Sequence, residues 1–437
     1  HDAYRRVFDL ALPVFAAMAS QAVLNIVDTA MVGRLGSTAI AGVGIGSFLA
    51  WLCATVVVGM SSGVQASVAR RLGEGNESVA ALPLNAALVL VLALGIPTIM
   101  VLYTVIPLIM PFLADSHAVA AEGTPYTLAR ISGMLFLGTN FAFRAYWNAT
   151  ERPRYYLITL VAMHILNIFL NWVLIFGNLG APELGTLGAG IGTAASLAAG
   201  TVMHFWFAHR LARHHGFLVG FPARDTFVRL AKLALPASVQ EGLFAGGFLV
   251  FMAIIARIGT VELAAGHILI QLVLVWVLPA IACGIAAATL VGQTLGKDDV
   301  DAARVWGWRA MKLAMVVIGV MALPALVAPA SLLSVLTTNA ELIEVGRLPL
   351  WISAATMTME AAGITLLQAH FGAGAVRRVL SIAPPLQWGL FLPIAALSVW
   401  MGASLLFVWS LFMGYRLLQT AILALSWRGT GWVNKDV

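Results

Sequence analysis

Two stretches of this sequence, LALPVFAAMASQAVLNIVDTAMVGRLG (10–36) and LALPASVQEGLFAGGFLVFMAIIARIG (233–259), begin and end with nearly the same residues. Within each stretch the proline of LALP precedes the last glycine by 23 positions. A further motif that ends in glycine follows each stretch: RRLG (70–73) follows the first and QTLG (293–296) follows the second. In both cases its glycine lies 37 positions after the last glycine of the stretch. A single offset, the one that carries Pro13 to Pro236, therefore maps the first half of the chain onto the second without a gap at these motifs. The sequence predicts two related halves.

The composition is typical of a membrane protein. Of the 437 residues, 61% are hydrophobic and only 10% are charged, whereas a soluble domain carries about 25% charged residues. A helix of about 20 apolar residues spans a bilayer, while a β-barrel would show alternating segments of about ten residues. The apolar runs of this chain are long and continuous, which favours helices.

We predict an all-α membrane protein with twelve transmembrane helices in two six-helix lobes. Because six helices separate the copies, the repeat is parallel, with a pseudo-two-fold axis along the membrane normal. The predicted helices are 7–33, 42–68, 80–113, 124–149, 154–177, 187–211, 227–257, 263–291, 303–334, 346–370, 378–399 and 402–426. The predicted domains are an N-terminal lobe (1–211), a cytoplasmic linker (212–226) and a C-terminal lobe (227–437).

The positions of the basic residues predict the orientation, because loops rich in Lys and Arg stay in the cytoplasm. With the N-terminus inside, 19 of the 25 Lys and Arg residues fall in cytoplasmic loops, three in outside loops and three within helices. Both termini are then cytoplasmic. The net charge of +6 is scattered over short loops, so we expect no nucleic-acid partner.

The cysteines and the absence of catalytic motifs limit other classes of function. Cys53 and Cys283 both lie inside apolar runs, so neither a disulfide framework nor a CxxC metal site is expected. Polar residues lead straight into the first apolar run without a small-residue cleavage site, and we read no signal peptide there. No catalytic motif is visible at a recognised spacing. We therefore expect no enzyme activity, no metal and no cofactor.

Ionisable and amide residues inside the predicted helices are the candidate functional residues. A charged residue at a membrane helix centre costs about 2.5–3.5 kcal/mol on insertion scales, so function is the first hypothesis. Gln21, Asn25 and Asp28 share one face of the first helix, and Asn167 and Asn171 lie four apart in the fifth. We predict that these five residues form an ion-coupling site around Asp28. The alternative is that the amides only hold helices together.

The second half does not repeat this polar set. At the offset that carries Pro13 to Pro236, the positions of Asp28, Asn167 and Asn171 are occupied by Phe251, Leu390 and Ile394. An ion-coupling site is therefore predicted in the first half alone.

Two other intramembrane acids, Glu241 and Glu360, are predicted to line a substrate cavity and attract cations. The alternative is that each pairs with a polar neighbour. The neighbours considered are Gln240, Gln271 and Arg144.

Proline and aromatic residues complete the predicted site. Pro13 lies within the first helix, where its missing N–H favours a kink, so it is a predicted hinge or a static bend. Four apolar side chains are predicted to line an adaptable cavity, although residues at helical spacing more often pack against other helices or face lipid. They are Phe136, Phe143, Phe244 and Met252.

The motifs NIFLNWVLIFG (167–177) and PELGTLGAGIGTAAS (182–196), with NIVDTAMVGRLG (25–36), closely resemble the multidrug and toxic compound extrusion (MATE) family of antiporters. Among them the chain resembles the DinF branch, whose coupling acid corresponds to Asp28. The resemblance implies a monomer in a bacterial or archaeal cytoplasmic membrane that exports amphipathic, often cationic compounds against protons or sodium ions. Some relatives carry an acid at the position of Asn171, and its absence here favours protons.

Three rival functions remain at this stage. A lipid-linked sugar flippase of the same superfamily would need basic residues along a central groove, for which only Arg130 and Arg144 qualify. A membrane-embedded enzyme would need a catalytic constellation. A passive channel or membrane scaffold would show no dependence on an ion gradient.

Overall fold

The computed structural model describes residues 2–433. His1 and residues 434–437 lie outside this range. The latter include Lys435, one of the basic residues used to predict the orientation. Over the described range the chain is helical and contains no β-strand. The predicted all-α class is confirmed.

The first half contains eight α-helices, several of them joined by very short connections. They are α1 (Asp2–Gly33), α2 (Ser37–Val58), α3 (Met60–Gly73), α4 (Leu82–Leu113), α5 (His117–Ser132), α6 (Met134–Ala149), α7 (Arg154–Phe176) and α8 (Thr186–Leu211). Single-turn 3₁₀-helices lie at Glu77–Val79, Asn178–Gly180 and Arg213–His215.

The second half also contains eight α-helices. They are α9 (Arg224–Ala256), α10 (Thr260–Gly296), α11 (Val300–Val327), α12 (Pro329–Leu336), α13 (Ala340–Gly372), α14 (Val376–Pro384), α15 (Leu392–Trp400) and α16 (Leu405–Arg428). A π-helical segment, Pro385–Phe391, joins α14 to α15. One membrane span, Val376–Trp400, consists of these three pieces.

Eleven stretches of the described chain are long and apolar enough to cross a membrane. The twelfth predicted helix, 124–149, corresponds to the end of α5 and the whole of α6, which are separated by Gly133. This pair is not among the eleven, because it carries Arg130, Asn140 and Arg144 and is less apolar than the other spans. Each of the other predicted segments coincides with a helix or a run of helices.

The repeat predicted from three short motifs extends through much of each half. Several helix boundaries are related by the same offset as Pro13 and Pro236. They are the starts at Ser37 and Thr260, the ends at Gly73 and Gly296, the starts at His117 and Ala340, and the ends at Ala149 and Gly372. The backbone therefore keeps one register from α2 to α6 and again from α10 to α13, although few side chains are shared.

Two compact units are distinguished by their internal contacts. One comprises Ala16–Gly242, and the other His1–Phe15 with Leu243–Val437. The divisions fall within α1 and α9, so each of these helices contributes to both units. The lobe boundaries at 211 and 227 stay a prediction.

The first residues of the predicted linker pack into the unit Ala16–Gly242. Phe217 is fully buried, and the amide of Asn85 donates to the Gly216 carbonyl at 2.9 Å. Burial lowers the pKa of His215 from its ordinary value of 6.5 to about 4, so its ring is neutral, and its Nδ1 is hydrogen-bonded to the Tyr146 hydroxyl at 2.6 Å. This end of the linker is anchored rather than free.

Candidate functional site

The central contact of the candidate site joins α1 to α7. Asn171 Nδ2 donates to Asp28 Oδ1 at 2.9 Å and to Asn167 Oδ1 at 3.0 Å. Asp28 is half-buried, while both asparagines are about 1% exposed. The i, i+4 spacing in α7 places the two amides one above the other on the face that meets Asp28. Three of the five predicted ion-coupling residues are therefore brought together.

Helix α8 supplies the wall behind these amides, and its residues were not predicted from the sequence. Asn167 Nδ2 donates to Thr193 Oγ1 at 3.2 Å and to Ser196 Oγ at 3.3 Å. A Cβ at Gly192 would overlap Asn171 Oδ1, so a residue without a side chain lets α8 approach the amide. The signal was present in the motif 182–196, where small and hydroxyl residues recur on one face.

The amide of Asn167 can present either end to the acid. In one orientation its oxygen accepts from Asn171. After a half-turn of the amide, its nitrogen lies 3.2 Å from Asp28 Oδ1 and its oxygen accepts from Ser196 Oγ at 3.3 Å. Since an amide offers a donor at one end and an acceptor at the other, this residue matches both a carboxylate and a protonated acid.

The remaining predicted residues of α1 form a second polar group nearer the middle of the helix. Gln21 donates to Asn25 Oδ1 at 3.1 Å, and its Oε1 lies 3.1 Å from Nε2 of His164. Nδ1 of the same ring lies 2.7 Å from Ser20 Oγ. Gln21 and Asn25 are exposed. They follow the predicted stripe, but their hydrogen bonds lead to His164 instead of Asp28.

A basic residue of α5 acts on the same acid through space. Arg130 interacts electrostatically with the Asp28 carboxylate. Its guanidinium donates to the Tyr126 hydroxyl at 3.0 Å, and that hydroxyl lies 2.8 Å from Ser47 Oγ. Arg130 is thus held in place by neutral partners near the site.

The two predicted cavity acids have cationic neighbours. Glu241 interacts electrostatically with Arg144, which was one of the alternatives from the sequence. Glu360 accepts from Arg416 Nε at 2.8 Å, and both side chains are almost completely buried. Its Oε2 has no hydrogen-bond partner in the described part of the chain.

The four predicted cavity side chains occupy different environments. Phe136 and Phe244 are 37% and 41% exposed. Met252 is buried. Phe143 is fully buried and stacks on His204 at 5.2 Å, which favours a packing role. Pro13 lies inside the continuous helix α1, and its role as a hinge stays a prediction.

The second half has no equivalent of the Asp28 cluster within the described chain, but its register differs from the one expected. Leu390 and Ile394 are both exposed, unlike the buried asparagines they were paired with. The buried positions of α7 correspond instead to buried positions of the span 376–400 that lie one residue later than the offset predicts. The last residues of the two spans, Phe176 and Trp400, are related in the same way. The pairs are Thr159 with Ala383, Met163 with Gln387, Asn167 with Phe391 and Asn171 with Ala395. One additional residue after Gly372 accounts for the shift.

The fold and this cluster define a multi-pass helical membrane protein with two backbone repeats and a carboxyl–amide site in the first. The model of the MatE family matches residues 13–173 and 236–397. The two matches start at Pro13 and Pro236, as the repeat predicts. The second match ends one position later than this offset predicts, which agrees with the one-residue shift of the span 376–400. The chain belongs to the MatE family.

Several curated proteins resemble this chain over most of its length. The probable multidrug resistance protein NorM of Thermotoga maritima is 26% identical over 407 residues, which cover 90% of this chain and 85% of that protein. The protein of the same name from Xanthomonas axonopodis pv. citri is 28% identical over 444 residues, covering 94% and 93%.

Solved structures share the fold at lower identity. An outward-facing multidrug resistance MATE family transporter superposes with a TM-score of 0.88 at 17% identity, covering 98% of this chain and 95% of that chain. The Vibrio cholerae MATE transporter VcmN in its bent form gives 0.87 at 16% identity, with 99% of both chains covered.

Proposed function

We propose that this protein is a multidrug antiporter that exports amphipathic, often cationic compounds by alternating access, with Asp28 as the coupling group. Membership of the MatE family and the relatives named multidrug resistance proteins support the export activity. The hydrogen bond from Asn171 to Asp28 at 2.9 Å is the observation that carries the assignment of the coupling residue. The assignment to the DinF branch remains part of this proposal.

The neutral partners of Asp28 are what suit it to coupling. A carboxylate whose hydrogen-bond partners are amides can take up a proton without breaking an ion pair. Arg130, which acts on Asp28 through space, keeps its own neutral partner, Tyr126. Asn167 is able to turn its oxygen toward the protonated acid, and Asn171 continues to donate to it. Both charge states of Asp28 are therefore accommodated by small side-chain rotations, and α1 and α7 stay connected.

A single carboxylate favours the proton over sodium as the coupling ion. A metal cation needs several oxygen ligands in place of its water shell, and the cluster offers one acid with amide and hydroxyl oxygens. The buried Asn171 Oδ1 has no hydrogen-bond partner in the described chain and is the one spare acceptor beside Asp28. A proton requires only the carboxylate itself.

For the substrate, the exposed aromatic faces of Phe136 and Phe244 are the proposed contacts. Arg416 already neutralises Glu360, so we assign the attraction of cationic compounds to Glu241 rather than to Glu360.

The decisive experiment is substrate efflux from proteoliposomes with a pH gradient and a sodium gradient imposed separately. Wild-type protein should export under the pH gradient. Asp28→Asn should reduce gradient-driven export by about 5- to 150-fold, the range of an ordinary coupling free energy, while the protein stays folded because the amide has the shape of the protonated acid. Asp115→Asn, the same change in a loop between α4 and α5, is the matched control.

Wild-type rates for Asp28→Asn under a pH gradient would show that the coupling group lies elsewhere. Export that is indifferent to both gradients would indicate a passive channel instead.

A further inference from the structure

A cavity of about 430 Å³ lies beside the beginning of α14 and the end of α16. Its lining combines one guanidinium with an apolar wall. The residues that matter are Arg378, Ile382, Ile422, Leu425, Ser426 and Gly431. It is remote in sequence from the Asp28 cluster, and the proposed transport mechanism does not use it.

The guanidinium in this cavity is held by a chain of hydrogen bonds. Arg378 Nε donates to Ser426 Oγ at 2.9 Å, and that hydroxyl lies 3.1 Å from His370 Nε2. The other ring nitrogen of His370 lies 2.7 Å from the Leu366 carbonyl. A carbonyl only accepts, so the ring donates there, and Nε2 accepts the proton of the serine. The arginine is thereby fixed through Nε.

The other two nitrogens of Arg378 are left for a ligand. Nη1 lies 3.4 Å from the Cβ position of Gly431, where the absence of a side chain leaves the guanidinium uncovered. Within residues 2–433, no carboxylate lies within 4.0 Å of it. A fixed guanidinium without an anionic partner is a good phosphate donor, since its two terminal nitrogens match two phosphate oxygens.

The position of the cavity indicates which kind of phosphate it takes. The two helices beside it belong to the membrane spans Val376–Trp400 and Leu405–Arg428. The arginine lies at the first turn of one span and Ser426 at the last turn of the other, which is the depth of lipid headgroups. From there the apolar wall of Ile382, Ile422 and Leu425 runs along the spans in the direction of the acyl chains.

We propose that this cavity binds an anionic phospholipid, with its phosphate on Arg378 and an acyl chain along Ile382, Ile422 and Leu425. Basic pockets between membrane helices bind anionic headgroups by this combination of charge and apolar contact. A zwitterionic lipid gains less, because its own ammonium group competes for the phosphate. Free phosphate lacks the chain that would use the wall.

The test is lipid binding to the purified full-length protein, measured by native mass spectrometry as phosphatidylglycerol is titrated. Arg378→Gln should weaken the tightest bound phosphatidylglycerol by about fivefold or more, the effect expected for one basic residue at an anionic lipid. Arg377→Gln removes the same charge from the neighbouring position, which is outside the cavity lining, and should change binding less than about twofold. Arg378→Lys should restore part of the loss.

A second variant, Leu425→Gln, alters the apolar wall at a side chain that is 67% exposed and should weaken the same lipid without touching the guanidinium. Phosphatidylcholine should lose less affinity than phosphatidylglycerol in Arg378→Gln, because its ammonium group competes for the phosphate. Equal losses in Arg377→Gln and Arg378→Gln would overturn the proposal in favour of a diffuse surface charge. Displacement of the lipid by millimolar inorganic phosphate would overturn it in favour of a free-anion site.

Discussion

The first half of the molecule holds its half-buried acid with neutral amides, whereas the second half holds a buried acid with a permanent cation. Asp28 accepts from Asn171 at 2.9 Å, and Glu360 accepts from Arg416 at 2.8 Å. A proton can join the first acid at little cost to its partners. In the second, protonation would leave a buried guanidinium unpaired, which is strongly unfavourable. The two acids are thus suited to opposite tasks, one to changing its charge and the other to keeping it.

The repeated backbone makes this contrast sharper, because equivalent positions carry opposite chemistry. Phe251 occupies the position equivalent to Asp28 and stacks on Phe412 with ring centroids 4.7 Å apart. Phe391, which takes the place of Asn167, lies 5.2 Å from Phe251. Where one half has a polar cluster, the other has a packed aromatic one. A shared fold therefore does not imply a shared site.

The largest effect should come from breaking the ion pair of the second half. Arg416→Met leaves Glu360 as an unpaired buried charge, and removal of one partner from such a pair costs about 3–5 kcal/mol. Thermal unfolding in one detergent should show a large loss of stability for this variant. Asp28→Asn should change stability little, because the new side chain keeps an oxygen that accepts from Asn171.

The double variant Glu360→Met with Arg416→Met provides the control, because well-packed apolar residues often replace a buried pair without loss. It should recover most of the stability of the wild type. If Arg416→Met alone were as stable as the wild type, the pair would not be the fixed charge that the comparison requires.

Much of the fold was accessible from the sequence because the decisive signals are strong and local. Apolar runs longer than a bilayer is thick predict membrane helices, and three motifs at a constant offset predict the repeat. The break at Gly133 was missed, since one glycine in an apolar run is not a stop signal. The shift of the repeat by one position in α14 and α15 was also missed, because no shared motif marks that span.

The candidate site was predicted in part. Spacing within one helix places Asn167 and Asn171 on a common face, and the cost of a buried charge singles out Asp28. Which helix packs behind them depends on tertiary contacts, so Thr193, Ser196 and Gly192 were not found. Arg416 was not among the partners predicted for Glu360, because the two residues are 56 positions apart in sequence, beyond any local pattern.

A smaller effect is expected at the close approach of α8 to the amides. Gly192→Ala places a methyl group against Asn171 Oδ1. Overpacking costs about 1–3 kcal/mol, and here it should displace the amide that donates to Asp28. Gradient-driven export should fall by about tenfold, the equivalent of about 1.4 kcal/mol, under the same pH gradient.

Gly414→Ala is the counterpart in the second half, because a Cβ there meets nothing within 4 Å. In the interior of α16 it should be neutral or slightly stabilising, since alanine is the better helix former. Equal losses of export in both variants would mean that glycine itself, and not the packing against Asn171, is required.

The smallest effect concerns a turn that the two halves share. Gly75 has a φ of 77°, and Asp298, at the equivalent position of the second half, has a φ of 59°. The hydrogen bonds are the same: Gly75 N to Leu72 O at 3.2 Å and Asp298 N to Leu295 O at 3.0 Å. The second half thus places an L-residue in a left-handed conformation that the first half gives to glycine.

Asp298→Gly should therefore stabilise the protein by up to about 1 kcal/mol. The left-handed conformation costs a non-glycine residue about 1–2 kcal/mol. Part of the gain is offset because glycine has more freedom in the unfolded chain. The reciprocal variant, Gly75→Asp, should destabilise by a similar amount, and neither should alter export, since both turns are outside the candidate site. Unfolding midpoints of the two variants are the measurement. A loss of stability in Asp298→Gly would show that its side chain contributes more to the turn than its backbone strain costs.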